Sequence, residues 1–450
     1  MYRQFKFSRF FALTGMVLQW GLASDAFTAE YLDTERVAPT TALEDATAMA
    51  VEFEEVQERR VTLLDKILER NAIIGSFWRD STLSFNARIY KFNRQTLSDK
   101  RGDFVAGGGT LDLHSGRWKD RVSLGLTYAY ATDLDVSNDE VPVGLLSEDG
   151  SSLSVISEAF VRLDARDSEL STVLYRQSFN LPYLNRQDSR MVPNTFEAYR
   201  VDYSTKKMDM LVTYVTRMKK QNSNKFVSMS KVAGSSHSDG VFAAGFRLNL
   251  KPFHFGAINY YNKDTMNIFY LDTNLKGSYK NGIDYQIRTQ LASQRSTGKE
   301  NIGDFKTWHW GISAVSSWQD IVLNLKYTIT GDDAAIKSPW GGRPHYNSLM
   351  VLDFDRAGEQ SSGMRISYSL GRWKLPEFSM SMNYAVGRKA HDENGLALEE
   401  EDEFDITLDY KPVSSRLKGL WIRLRYAEAN RGDEDARDFR AIFNYNINLL

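Results

Sequence analysis

The chain has 450 residues, enough for two or three soluble domains or for one large barrel. It contains no cysteine, which excludes a disulfide scaffold, a zinc-thiolate or iron–sulfur site and a lipoprotein anchor. Its 56 basic and 58 acidic side chains give a net charge of -2, so nothing global points to nucleic acid as a partner, and no apolar run reaches the roughly 18 residues of a membrane helix.

Arg3, Lys6 and Arg9 precede an apolar stretch from Phe10 to Ala23, and small residues follow at Ala26-Phe-Thr-Ala29. This order of charge, apolar core and small residues reads as a secretory signal over 1–29, cleaved after Ala29. The mature chain then carries 53 basic and 57 acidic side chains.

The next segment, 30–76, is expected to be a helical extension. Thr41-Ala-Leu-Glu44 has the form of a capping box, and neither Gly nor Pro interrupts the following thirty residues. Leu43, Ala46, Met49, Ala50, Phe53 and Val56 form a helical stripe that resumes at Leu64, Ile67 and Leu68, with Arg59 and Arg60 breaking the seam. Two readings stand side by side for 41–73. One is a periplasmic coiled coil that makes a homotrimer or touches the cell wall; the other is a helix lying against the barrel mouth or plugging it. Gly75 ends the segment.

From Thr82 the period changes to two. Leu83, Phe85, Ala87 and Ile89 alternate with Ser84, Asn86, Arg88 and Tyr90, one apolar face and one polar. Alternation recurs near 104–113, 121–131, 156–165, 170–178, 195–203, 208–217, 241–250, 253–262 and 265–275, then near 282–293, 305–317, 321–330, 363–370, 378–387, 403–411, 418–427 and 438–449. That is eighteen segments, each close to the nine to eleven residues of a tilted membrane strand. The stretch 349–356 is assigned to a loop. Links 114–120, 166–169, 204–207, 251–252, 318–320 and 412–417 are short, whereas 132–155, 179–194, 218–240, 331–362 and 388–402 are long; 263–264 breaks the parity. Short turns on one side and long loops on the other, with an even strand number, fit a transmembrane antiparallel β-barrel of the outer membrane over 77–450. The expected fold class is therefore all-β, with an N-terminal periplasmic helix.

Several stretches resemble the OprD-type substrate-specific porin family in order along the chain. They are Leu83–Arg94, with Arg-Ile-Tyr-Lys-Phe-Asn-Arg over 88–94; Asp188-Ser-Arg-Met-Val-Pro-Asn-Thr195; Ser338-Pro-Trp-Gly341; Phe354-Asp-Arg-Ala-Gly-Glu359; and Lys418-Gly-Leu-Trp-Ile-Arg-Leu-Arg-Tyr-Ala427. The resemblance covers roughly 77–450 and implies an eighteen-stranded channel for small solutes, commonly amino acids or carboxylates, with a basic ladder along the lumen. Two features depart from it. The segment 41–73 is longer than the usual family N-terminus, and the chain ends in Leu450 rather than in the Phe common to outer-membrane barrels.

Strand parity puts Arg88, Arg217, Arg288, Arg365, Arg423, Arg425 and Arg440 on the polar, lumen-facing side. A guanidinium stays charged and offers a planar fork of donors, so a column of them passes a carboxylate from site to site. Arg88, Arg423, Arg425 and Arg440 fall on the family-like stretches and are the candidate ladder; the alternative is that such arginines pair with acids and stiffen the wall. Loop 179–194 is the candidate constriction, with Asp188 and Arg190 either facing the pore or paired with each other. Loop 331–362, with Trp340 and Glu359, is a second candidate lid.

No cofactor or metal is expected. His237, His309, His345 and His391 lack metal-ligand spacing. Glu399-Glu-Glu-Asp-Glu403 reads as a solvated loop before it reads as a cation site, and Gly107-Gly-Gly109 as a bulge or close backbone approach. No nucleophile motif is present, so an enzyme is not expected. The expected partners are small hydrophilic solutes, outer-membrane lipid and lipopolysaccharide. The alternative function is a plugged structural barrel that tethers the cell wall.

Overall fold

The computed structural model describes residues 77–139, 143–166, 168–279, 282–413 and 417–450. The signal and the helical extension expected over 1–29 and 30–76 lie outside the described residues.

Eighteen antiparallel strands close into one barrel. The first nine are β1 Thr82–Gln95, β2 Arg101–His114, β3 Val122–Asp139, β4 Leu153–Asp164, β5 Leu170–Gln177, β6 Thr195–Ser204, β7 Met208–Lys219, β8 Val241–Leu250 and β9 Phe253–Asn262. The second nine are β10 Met266–Ser278, β11 Ile283–Ser296, β12 Lys306–Trp318, β13 Ile321–Thr330, β14 Gln360–Ser369, β15 Phe378–Arg388, β16 Glu401–Tyr410, β17 Leu420–Arg431 and β18 Glu434–Asn448. Each pairs with its neighbours in sequence, and β1 pairs with β18 from Ser84 opposite Asn448 to Gln95 opposite Arg437, which leaves the sheet without a free edge.

The strands are laid down inside out relative to a soluble sandwich. Ile89, Leu124, Tyr199, Val212, Leu325 and Phe443 face outwards and are exposed, whereas Asn324, Ser313, Asn383, Arg423, Asp438 and Arg440 face inwards and are buried. Apolar side chains outside and polar ones inside is the arrangement that lipid demands of a barrel wall.

Two hairpins differ from their expected form. Strands β1 and β2, and β17 and β18, run further than their apolar alternation, so the links between them shrink to 96–100 and 432–433. Arg94 with Asp438, and Arg431 with Glu401, show why: polar residues on these rims bond across the ladder, which continues past the apolar band. The link after β9 is short, 263–265, as its sequence indicated.

Strand β7 carries a second correction. A bulge inserts Thr216 between Val215, opposite Ala198, and Arg217, opposite Glu197. Parity inverts there, so Arg217 is not on the lumen face as expected; its side chain is 59% exposed, with Glu197 at 3.9 Å.

The long loops turn into the barrel rather than away from it. Phe179, Leu181, Tyr183, Leu184 and Trp340 pack against Leu211, Val215, Ile258, Tyr260, Ile268 and Tyr270, which are lumen-facing residues of β7 to β10. Val143, Leu145, Leu146, Met191 and Val192 cover Tyr90, Phe92, Ala106, Ala129 and Ala131. Leu352 and Phe354 fill the space above Ala385, Ala429 and Ala436. One side of the interior is thereby filled by apolar loop anchors. On β16, β17, β18 and β1 the anchors cover only part of the wall, and the inward positions of Asp409, Arg423, Arg440, Asn444 and Arg88 are left polar.

Candidate permeation path

Strands β17, β18 and β1 adjoin, and their inward residues form a basic wall. Arg425 stands opposite Arg440, Arg423 opposite Ile442, and Arg88 opposite Asn444. The strand period of two fixes this: Arg423 and Arg425 are two apart, so both point inwards together.

The wall is charge-assisted as well as charged. Arg423 donates to both oxygens of Asp409, at 2.8 and 3.1 Å, and lies over the Trp421 ring. Arg440 donates to both oxygens of Asp438, at 2.8 and 2.7 Å, and reaches the Met350 carbonyl at 3.1 Å. Arg425 donates to Thr407 Oγ1 at 3.3 Å. Arg88 donates to Asn444 at 2.7 Å and, across the lumen, to Asp188 at 2.6 Å and to the Arg190 carbonyl at 2.5 Å.

Asp188 and Arg190 therefore both sit at the pore, but they do not pair with each other. Burial raises the Asp188 carboxyl, yet Arg88 and then Arg186 outweigh burial and hold it below the usual carboxylate range. Arg190 donates to the Val143 carbonyl at 2.8 Å and lies over the Phe92 ring, as Arg440 does. Burial and then the Arg440 charge bring Arg190 down to about 10.

The loop 178–194 places Asp188 through a small hairpin in which Asn180–Leu181 pairs with Leu184–Asn185. Pro182 fixes the first turn position, and Tyr183 occupies the second at φ +61°, where glycine is usual. The Tyr183 ring is fully buried, and its hydroxyl bonds His345 Nε2 at 2.7 Å. The Asn185 side chain donates to the Gly342 carbonyl at 2.9 Å and accepts from the Gly342 N–H at 2.8 Å. Loop 331–359, the second expected lid, is thus hooked onto the first. Trp340 anchors it from a buried site, donating to the Met229 carbonyl at 2.9 Å, and Glu359 is buried against Arg356 at 2.7 Å rather than facing the pore.

Two chambers lie in the lumen among the described residues. One, of about 690 Å³, is lined by Arg88, Asp188, Arg190, Arg423, Arg425 and Arg440. The other, of about 260 Å³, is lined by Arg247, Arg288, Lys326 and Arg365 together with Asp272 and Asp405. Arg343 and Arg425 line both. Arg343 pairs with Asp353 at 2.6 Å and Asp355 at 2.5 Å.

Four of the seven arginines read as lumen-facing form the first wall, Arg288 and Arg365 line the second chamber, and Arg217 lies elsewhere. Arg247 and Lys326 were missed although strand parity on β8 and β13 carries them. Arg186 and Arg343 sit on loops, where no period exists to reveal them. The acidic run splits by alternation: Glu401 turns in to Arg431 at 2.7 Å, Glu400 turns out towards Arg388, and Glu403 accepts the N–H groups of Met350, Val351 and Leu352 at 2.8, 2.9 and 2.6 Å. It is a loop anchor in part, not a cation site. His309 and His345 stack with ring centroids 3.7 Å apart, and among the described residues no group of three or more acidic or histidine side chains is arranged for a metal.

A closed eighteen-stranded barrel with an apolar exterior and a charged lumen constricted by infolded loops is an outer-membrane porin. The model of the outer membrane porin, OprD family, matches residues 75–449, and the chain belongs to that family. It is a channel protein of the outer membrane rather than an enzyme. The fold is similar to that of Pseudomonas aeruginosa OpdK solved with vanillate (21% identity, TM-score 0.74, 83% of this chain and 100% of that one) and of P. aeruginosa OccK9, also called OpdG (22%, 0.76, 83% and 100%). It is also similar to a BenF-like porin from Pseudomonas fluorescens Pf-5 (17%, 0.74, 83% and 100%). No curated protein matches the chain significantly.

Proposed function

We propose that the pore passes small carboxylate-bearing solutes, or amino acids, by passive diffusion along a basic ladder formed by Arg88, Arg423, Arg425 and Arg440. The observation that carries this reading is the first chamber: these four guanidinium groups and that of Arg190 converge on one space. A desolvated carboxylate keeps its free energy only where donors replace its water, and a row of forks does so at each step of its passage. Partners on the wall hold the forks in place: Asp409 and Asp438 each take two bonds from one arginine and fix its plane. Asp188 and Arg190 belong to the same constriction, with Asp188 giving the amino group of a zwitterion an acidic neighbour. That the OpdK structure contains vanillate, a carboxylate, supports this solute class.

The test is single-channel conductance of the refolded mature chain in a planar bilayer, with arginine and then benzoate titrated in. Resolved steps that one of the two blocks are expected, and the blocker assigns the class. Stable insertion without steps would overturn the reading in favour of a plugged structural barrel.

A further inference from the structure

We infer that Arg343 sorts solutes at the neck between the two chambers, and that Tyr183 and Asn185 are the positioning residues that hold it there. This rests on the carboxylate-path reading given above. Three observations carry it. First, the basic wall residues divide between the chambers, and Arg343 and Arg425 alone among the basic groups that line them belong to both. A solute leaving one chamber for the other therefore passes between a wall arginine and a lid arginine.

Second, Arg343 lies between two grips of the same hairpin. Gly342, one residue before it, is held by both polar atoms of the Asn185 amide, and His345, two residues after it, is held by the Tyr183 hydroxyl. Short strand-like contact between Leu184 and Trp340 backs the first grip. Tyr183 keeps a left-handed backbone that a tyrosine seldom adopts, which is sustained here by the burial of its ring against Tyr270. The clasp sets position and leaves no slack at the intervening residues.

Third, on the lid side of the neck one cation faces two acids. Asp353 and Asp355 both pair with Arg343, and Ser348 holds Asp353 at 2.6 Å. Removing the guanidinium takes this set from one net negative charge to two, so the field beside the path becomes more negative.

The experiment uses the full chain in planar bilayers under a salt gradient, reading reversal potential and benzoate block, with heat-modifiable migration on gels to certify folding. The wild type is expected to prefer anions. Arg343→Gln should lose that preference and weaken benzoate block several-fold, while Arg343→Lys should retain the preference and lose part of the block. Tyr183→Phe and Asn185→Ala change no charge, yet each should move the reversal potential towards that of Arg343→Gln. Neither should move it further in the Arg343→Gln background, a non-additivity that a merely structural role does not produce. An unchanged anion preference in Arg343→Gln, with block lost in Arg440→Gln, would overturn this inference and leave the ladder standing. A wild-type pore with no anion preference and no block would instead remove the carboxylate path itself. Should Arg343→Gln fail to fold, the lysine variant and the two clasp variants read the same quantity.

Discussion

Asp355 shows how a single buried side chain sets the charge of the neck. Burial raises its carboxyl, Arg343 and then Arg356 oppose that, and the balance leaves it at about 6. His345, 3.5 Å away, is brought down to about 3 by burial and then by Arg343, so it stays neutral through the same range, while burial raises Asp353 as well. Lowering the pH through 6 therefore neutralises Asp355 and leaves Arg343 with Asp353 as its acid, making the neck more positive by one charge. The expected outcome is stronger anion preference at pH 5 than at pH 8, read as reversal potential, and a smaller response in Asp355→Asn. The sign separates this from lid opening. A carboxyl whose value is raised in the seated lid binds its proton more tightly there than in a freed loop, so seating strengthens as pH falls from about 6 towards the ordinary value near 4. Acid that loosened the lid would act in the opposite direction, raising conductance and blunting selectivity.

At the scale of elements, the glycine run on β2 marks where strands approach closely. A Cβ on Gly108 would overlap the Tyr130 carbonyl on β3, and one on Gly109 the Asn86 carbonyl on β1. Backbone atoms in a closed ladder cannot swing aside as a side chain does, and overpacking costs about 1–3 kcal/mol even where side chains yield. Gly109→Val is expected to lower the yield of heat-modifiable folded barrel, without altering the conductance of the molecules that do insert. The close approach at 107–109 was legible in the sequence because glycine inside a strand pattern has few other uses. The strands were legible for a similar reason: lipid on one face and water on the other impose a period that survives in residues such as Leu83 to Tyr90. Their ends were not, because β1, β2, β17 and β18 continue beyond the apolar band on polar cross-strand bonds that leave no hydropathic trace. Thr216 illustrates the other limit. One inserted residue flips every later side chain, which is why Arg217 was misplaced while Arg423 and Arg425, on an unbulged strand, were not. Loop residues such as Arg343 depend on which loop hooks which, through Asn185 and Tyr183, and no local pattern encodes that.

At the scale of the molecule, the question is what the chain before β1 does to the pore. The barrel needs nothing from it for closure, since β1 pairs with β2 on one edge and β18 on the other. Where it joins is also informative. Phe77 and Trp78 lie on the outward side of the wall, in an apolar hollow of about 470 Å³ lined by Leu113, Leu124, Leu126, Ala159, Val161 and Leu174. The Gly116 N–H donates to the Phe77 carbonyl at 2.9 Å, fixing that entry beside the short 115–121 turn, at the opposite end of the strands from the infolded loops. Phe77, the first described residue, thus lies outside the wall and far from the neck formed by Arg343 and Arg425. Deleting 30–73 is expected to leave single-channel conductance and benzoate block as in the full mature chain, because no part of the constriction is taken away. A rise in conductance on deletion would mean instead that the segment reaches back under the wall and fills the lumen, and would move the plugged reading forward. Retaining Phe77 and Trp78 in the shortened chain matters to the test. Removing them as well would open the hollow to lipid and mix a folding defect into a measurement of flow.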